Sequence, residues 1–171
     1  MISPSQTTSS QLVLSLGSNI DARHNICLAL DALREEFGEL SLSPVYESEA
    51  IGFEGDNFLN LVVAVNTAFS LTQVYKTLKR IEDSQGRDRS LERFASRPID
   101  IDILLFGDEK GDEVGVQLPR PEINRNAFVL RPLADLLPQQ THPNMGKSFL
   151  QLWREYDQAS QKLWPIKFVW P

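Results

Sequence analysis

Two aspartates separated by one residue, Asp100 and Asp102, follow directly on a segment that carries Arg87, Arg89, Arg93 and Arg97. On a strand, residues two apart project to one face, which sets the two Cα atoms about 6 to 7 Å apart. Carboxylates that close repel each other, and aspartate is a poor strand former, so the pair asks for a cation. Hard oxygen donors of this kind suit Mg²⁺ held between protein and phosphates. Guanidinium groups offer planar, bidentate donors to phosphate oxygens, and metal ligands beside phosphate clamps point to nucleotide chemistry. The plain alternative is a solvated outer face with Ile99, Ile101 and Ile103 turned inward. Strict alternation puts Leu104 and Phe106 on the aspartates' own face and argues against it.

No glycine-rich phosphate loop accounts for these features. The run Thr141-His-Pro-Asn-Met-Gly-Lys-Ser148 lacks the first glycine of a Walker motif, contains Pro143 and follows no convincing strand. Gly146 to Ser148 reads as a helix entry, and His142 as a turn or core histidine without a catalytic role.

The elements that must position the aspartates can be read from periodicity. Gln11 to Leu16 is a short apolar strand stopped by Gly17-Ser-Asn19. Asp21 is expected to cap a helix whose Ile26, Ala29, Leu30, Leu33 and Phe37 keep helical spacing, with Gly38 as its stop. Leu40 to Glu47 and Phe58 to Thr67 read as strands, joined by a connection with Gly52 and Gly55 that is expected to be a mobile loop. Ser70 to Gln73 has capping-box spacing, and Val74, Leu78 and Ile81 continue a helix to Gly86. A second mobile loop, carrying the arginines, leads to the strand Ile99 to Phe106. Strand, helix, strand, strand, helix, strand is a ferredoxin-like βαββαβ order, so the fold class is α+β. Beyond it come a hairpin around Gly107 to Leu118, a proline-punctuated segment to Pro132 and a short helix near Ser148 to Tyr156. The aromatic stretch Trp164 to Trp170 is either an added edge strand or a partner contact, and periodicity leaves both open.

Bulk composition narrows the class further. The 171 residues are 42% hydrophobic and 23% charged, which excludes wholesale disorder and fits one domain. Residues 1–10 read as a disordered tail, 11–156 as a single catalytic domain and 157–171 as a C-terminal tail. A net charge of −6 argues against a general polyanion binder, so the arginine cluster is a local feature. The lone Cys27 cannot form an internal disulfide, the start carries no basic and apolar signal, and the longest apolar run is Leu61 to Val65. A cytoplasmic monomer without membrane or nucleic-acid partners is expected.

In order and spacing, several motifs together resemble the 6-hydroxymethyl-dihydropterin pyrophosphokinases of folate synthesis. They are Leu16-Gly-Ser-Asn19, Ser43-Pro-Val-Tyr-Glu-Ser48, Asn57-Phe-Leu-Asn60, Ile81-Glu82 with Gly86-Arg-Asp-Arg89, Arg97-Pro-Ile-Asp-Ile-Asp102 and Phe128-Val-Leu-Arg-Pro-Leu133. The resemblance spans roughly residues 12 to 146. It implies transfer of the β,γ-pyrophosphoryl group of ATP to the hydroxymethyl of a dihydropterin, with AMP released. It implies that Asp100 and Asp102 hold two Mg²⁺ ions, and that Arg87 and Arg97 engage the triphosphate or support catalysis. Glu82, Arg89, Arg93 and Ile103 become further nucleotide contacts. For the pterin it implies Asn60, whose amide carries both donor and acceptor, an aromatic pair Phe58 and Phe128, and Ser48 and Ile51 through mainly backbone groups.

The chain departs from that family on the nucleotide side. Ala95-Ser96 stands where Gly-Pro is usual, Arg120 where histidine is frequent, and Asn126 where arginine is frequent. Arg120 is expected to make up the missing ATP-binding charge, because in an extended segment it shares the parity of Asn126 whereas Arg125 does not. These departures keep open a divergent paralogue with weak or altered turnover. An RNA-binding module with the same strand and helix order is the other competing reading, and the acidic total argues against it.

Overall fold

The computed structural model of the chain describes residues 8–50, 55–86 and 98–171. The elements run β1 (Ser10–Ser18), α1 (Ala22–Phe37), β2 (Ser41–Leu42), β3 (Val45–Ser48), β4 (Phe58–Thr67), α2 (Leu71–Ser84), β5 (Asp100–Phe106), β6 (Gly111–Glu113), β7 (Val116–Leu118), α3 (Glu122–Arg125), α4 (Ala127–Leu136), α5 (Phe149–Glu155) and β8 (Leu163–Ile166). The main sheet has the order β5-β1-β4-β3-β8, with β2 also paired to β4, and every pairing is antiparallel. Without β8 this is the ferredoxin-like arrangement expected from the sequence. β6 and β7 form the separate hairpin.

Each face of the sheet is covered because each carries its own apolar set. Leu12, Leu14 and Leu16 of β1, with Ile101 and Ile103 of β5, pack against Ile26, Leu30 and Leu33 of α1 and Val74, Leu78 and Ile81 of α2. Val13, Val62, Ala64 and Leu104 face the other way, onto Val129, Leu130 and Leu133 of α4 and Phe149 of α5. Two helix ends are fixed by local chemistry. Ser70 and Gln73 form the reciprocal capping box of α2, a device worth about 1 kcal/mol. Gly38 ends α1 at φ 89°, where a side chain would be strained.

Four expectations are corrected. Asp21 makes no capping side-chain bond to α1: its backbone is left-handed (φ 41°, ψ 52°) rather than in the extended conformation from which a cap reaches the first turn. The strand expected over Leu40 to Glu47 breaks at Ser43-Pro44. There the Ser43 hydroxyl accepts the N–H of Val62 at 2.8 Å, a ladder bond made by a side chain before β3 resumes pairing one residue out of register. Phe106 is not on the aspartates' face. The register between β1 and β5 shifts at Val13/Leu14, leaving Leu104 as the extra residue, so Leu104 keeps the aspartates' side while Phe106 crosses to the α1 and α2 side. The proline-punctuated segment is helical, since α4 runs through Pro132. Pro132 removes one internal hydrogen bond, and burial of Val129, Leu130, Leu133 and Ala134 offsets that loss.

Of the two readings for the aromatic stretch, the structure shows the edge strand. β8 pairs with β3 from Val45↔Ile166 to Ser48↔Leu163, and Phe168 and Trp170 then pack beside α1. No helix among the described residues is long and apolar enough to cross a membrane.

Candidate active site

The pairing registers set up one row across the sheet: Asp100 opposite Gly17, Gly17 opposite Asn60, and Asn60 opposite Tyr46. Antiparallel partners share a face, so Asp100 and Asn60 stand on the same side, two strand spacings or about 10 Å apart. Gly17 leaves the floor between them open. A Cβ there would lie 3.5 Å from Asn60 Oδ1 and 3.8 Å from the Phe58 ring. The next two residues secure the flanks. Buried Ser18 donates through Oγ to the carbonyl of Pro98 at 2.5 Å, just before β5, and Asn19 Nδ2 donates to the carbonyl of Asp56 at 3.3 Å, just before β4.

At the β5 end, Asp100, Asp102, Ile103 and Arg120 line a cavity of about 310 Å³ together with Tyr75 and Lys79 of α2. Arg120 Nη2 lies 3.5 Å from Asp102 Oδ1, and its Nε lies 2.8 Å from Glu122 Oε2. Burial, then the charge of Asp100, pushes the Asp102 carboxyl up to about 7 against the opposing pull of Arg120. Burial and like charge at Asp102 are what a bound cation would relieve. Two carboxylates on one face of a strand could supply two oxygen ligands and leave the remaining positions to phosphates and water, a donor set that fits Mg²⁺. Glu82, fully buried, turns its carboxylate to the strand: Oε2 accepts the N–H of Ile101 at 2.8 Å and Oε1 lies 3.4 Å from Lys79 Nζ.

At the β4 end, Asn60 is 3% exposed, and its Nδ2 donates to Ser48 Oγ at 2.8 Å and to the carbonyl of Tyr46 at 3.3 Å. Its donor is therefore engaged by the protein and its Oδ1 lies toward Gly17. Ser48 and Phe128 line a second cavity, of about 340 Å³, which residues 159–163 also line. Phe128, the second residue of α4, is partly buried against the core beneath that helix.

The structure thus brings Asp100, Asp102, Ile103 and Arg120 together at one end, and Ser48, Phe58, Asn60 and Phe128 at the other. Ile51, Arg87, Arg89, Arg93 and Arg97, with residues 51–54 of the first expected mobile loop and 87–97 of the second, lie outside the described residues. The parity argument for Arg120 does not apply, because α3 interrupts the extended segment it assumed. Arg120 nevertheless reaches Asp102, while Arg125 offers its backbone carbonyl to Tyr156 Oη at 2.8 Å. Sequence reasoning missed Tyr75 and Lys79. Their signal was available, since Tyr75 and Lys79 recur with Glu82 on one face of α2.

An antiparallel α+β sheet with acidic and cationic groups at one end of a row and a buried amide beside an aromatic at the other has the features of a small enzyme domain with two ligand sites. Comparison with known proteins gives the particular family. The model of 7,8-dihydro-6-hydroxymethylpterin-pyrophosphokinase (HPPK) matches residues 13–138, and the chain belongs to that family. It is 31% identical over 163 residues to the 2-amino-4-hydroxy-6-hydroxymethyldihydropteridine pyrophosphokinase of Synechocystis sp., covering 90% of this chain and 79% of the relative. With the enzyme of that name from Pseudomonas aeruginosa it shares 37% over 138 residues, 78% of this chain and 85% of the relative. The solved Plasmodium falciparum HPPK-DHPS wild type with pteroate matches at TM-score 0.71 and 16% identity, a likeness of fold. That match covers 86% of this chain and 42% of the other, so this chain spans less than half the length of the Plasmodium one.

Proposed function

We propose that the chain transfers the β,γ-pyrophosphoryl group of ATP to the hydroxymethyl of 6-hydroxymethyl-7,8-dihydropterin, giving AMP and the pterin diphosphate. The observation that carries this reading is the row Asp100–Gly17–Asn60, which sets a cation-seeking carboxylate pair and a buried amide on one face about 10 Å apart. Asp100 and Asp102 would hold two Mg²⁺ ions. Bound there with the triphosphate, they would supply charge neutralisation and in-line alignment, the usual sources of catalysis at phosphorus.

The chain's own residues have distinct parts. Arg120 and Lys79 bring positive charge to the walls of the cavity that Asp100 and Asp102 line, and Arg87 and Arg97 are the proposed triphosphate clamps. Arg89 and Arg93 are assigned as further nucleotide contacts. Ile103 contributes to the cavity wall, and Glu82 acts by holding β5 in place. On the pterin side, Ser48 fixes the orientation of Asn60, whose Oδ1 is presented to an N–H of the ring, Phe58 and Phe128 flank the ring plane, and Ile51 is assigned to meet the pterin through backbone groups.

The test is turnover: purified protein with Mg-ATP and 6-hydroxymethyl-7,8-dihydropterin should release AMP and the pterin diphosphate at an ordinary enzyme rate. Tight pterin or ATP binding without AMP release would favour the divergent paralogue, a reading that the family match and its relatives do not favour.

A further inference from the structure

The family match ends at residue 138, yet a side chain far beyond it reaches the pterin end of the site. Helix α4 begins without a cap of its own, since Asn126 makes no side-chain bond to the first turn. Gln161 takes that place from the segment between α5 and β8. Its Oε1 accepts the N–H of Ala127 at 2.8 Å, and its Nε2 lies 3.2 Å from the carbonyl of Arg125 and 3.4 Å from Asn126 Oδ1. One carboxamide thus ties three consecutive residues at the start of α4 and satisfies an N–H that the helix itself cannot. The next residue along is Phe128. Two residues after Gln161, Leu163 opens β8 directly opposite Ser48, whose hydroxyl orients Asn60. Gln161, Leu163, Ser48 and Phe128 line the same cavity of about 340 Å³.

We propose that Gln161 is a positioning residue for pterin binding, acting from outside α4 to hold Phe128 over the cavity while the adjoining β8 holds Ser48. This rests on the assignment of Phe128 to the pterin. A segment outside the family's matched length therefore sets the width of the ring pocket in this chain. The nucleotide end has no part in the arrangement, because Asp100, Asp102 and Arg120 line the other cavity.

The full chain and its Gln161→Ala, Gln161→Glu and Phe128→Ala variants would be titrated separately with 6-hydroxymethylpterin and with a non-hydrolysable Mg-ATP analogue. Gln161→Ala is expected to weaken pterin about five-fold, the equivalent of one helix cap, with the ATP analogue bound as in the parent. In steady-state turnover the loss should fall on KM for the pterin. Gln161→Glu keeps an acceptor for the Ala127 N–H but loses the donor to the Arg125 carbonyl, so it should recover only part of the pterin affinity. If Gln161→Ala binds pterin as the parent does while Phe128→Ala does not, the positioning role is wrong and the pterin assignment stands. Parent-like pterin binding by Phe128→Ala would remove the assignment and the inference with it. Equal losses for both ligands in Gln161→Ala would show general loosening and also overturn the proposal.

Discussion

The buried carboxylate of Glu82 accepts the backbone N–H of Ile101, the residue that separates Asp100 from Asp102, at 2.8 Å. β5 is the edge of the sheet, so this N–H has no strand to pair with, and a side chain from α2 closes the edge instead. Glu82 thereby fixes the stretch of backbone from which both aspartates project. Glu82→Ala should cost about 1–3 kcal/mol of stability by leaving a buried donor unmet. A shift of about 1 Å in the aspartates should lower kcat/KM on the order of 100-fold. Glu82→Gln retains an acceptor and should keep most of both. Chemical denaturation and turnover of the two variants check this, and an alanine variant as stable and active as the parent would contradict it.

Asp100→Asn and Asp102→Asn should each abolish turnover without lowering thermal stability. Each removes a proposed metal ligand, and each also relieves the repulsion that, with burial, raises the Asp102 carboxyl to about 7. Differential scanning calorimetry without divalent ions should show Tm equal to or above that of the parent. Turnover by the double variant at saturating Mg-ATP would end the metal assignment.

How far the sequence exposed the site depends on which signals were local. The βαββαβ order, the capping box at Ser70 and the carboxylate pair are all written in neighbouring residues, and the structure places them together. The bulge at Leu104 could not be read, because it arises from the register between β1 and β5, and strict alternation therefore misplaced Phe106. Helix α4 was hidden by Pro132, whose local penalty is outweighed by burial visible only once the sheet is assembled. Gln161 was invisible for a similar reason, since its contact with Ala127 spans 34 positions. Lys79 was the avoidable omission: it lies three residues before Glu82 on the same helix face.

His142 gives a stability signature independent of turnover. Burial lowers its imidazole below the ordinary 6.5, and its Nδ1 accepts the N–H of Asn144 at 3.1 Å. The unfolded chain takes up a proton at about 6.5 while the native ring resists it, so below that pH the unfolded state binds more protons. This contribution is complete above pH 6.5 and is lost as pH falls toward the lowered native value. His142→Asn keeps an acceptor for Asn144 and should flatten the fall in Tm between pH 7 and 5, even if it starts lower. A slope identical to the parent's would mean that His142 is not the titrating group.

Arg120 should matter to ATP far more than Arg125 does. Arg120 Nη2 stands 3.5 Å from Asp102 on the wall of the carboxylate cavity, where a triphosphate would bring several further negative charges. Its Nε lies 2.8 Å from Glu122 Oε2 without a hydrogen bond between them, so carboxylates flank the guanidinium on two sides. That geometry replaces the parity argument as the reason to assign Arg120 the charge missing at Asn126. Arg125 contributes its backbone carbonyl to Tyr156 and Gln161, a role that any side chain at position 125 would preserve. Removing one charge-assisted contact of about 1.5–3 kcal/mol should raise KM for ATP roughly 10- to 100-fold in Arg120→Ala. The pterin, proposed to bind at the other end of the row, should be affected little. Arg125→Ala should leave both constants within about two-fold, the range of an ordinary surface change. Steady-state kinetics with each substrate varied in turn decides the matter: if Arg120→Ala keeps the parent KM for ATP, the compensating charge is not there and turnover must manage without it.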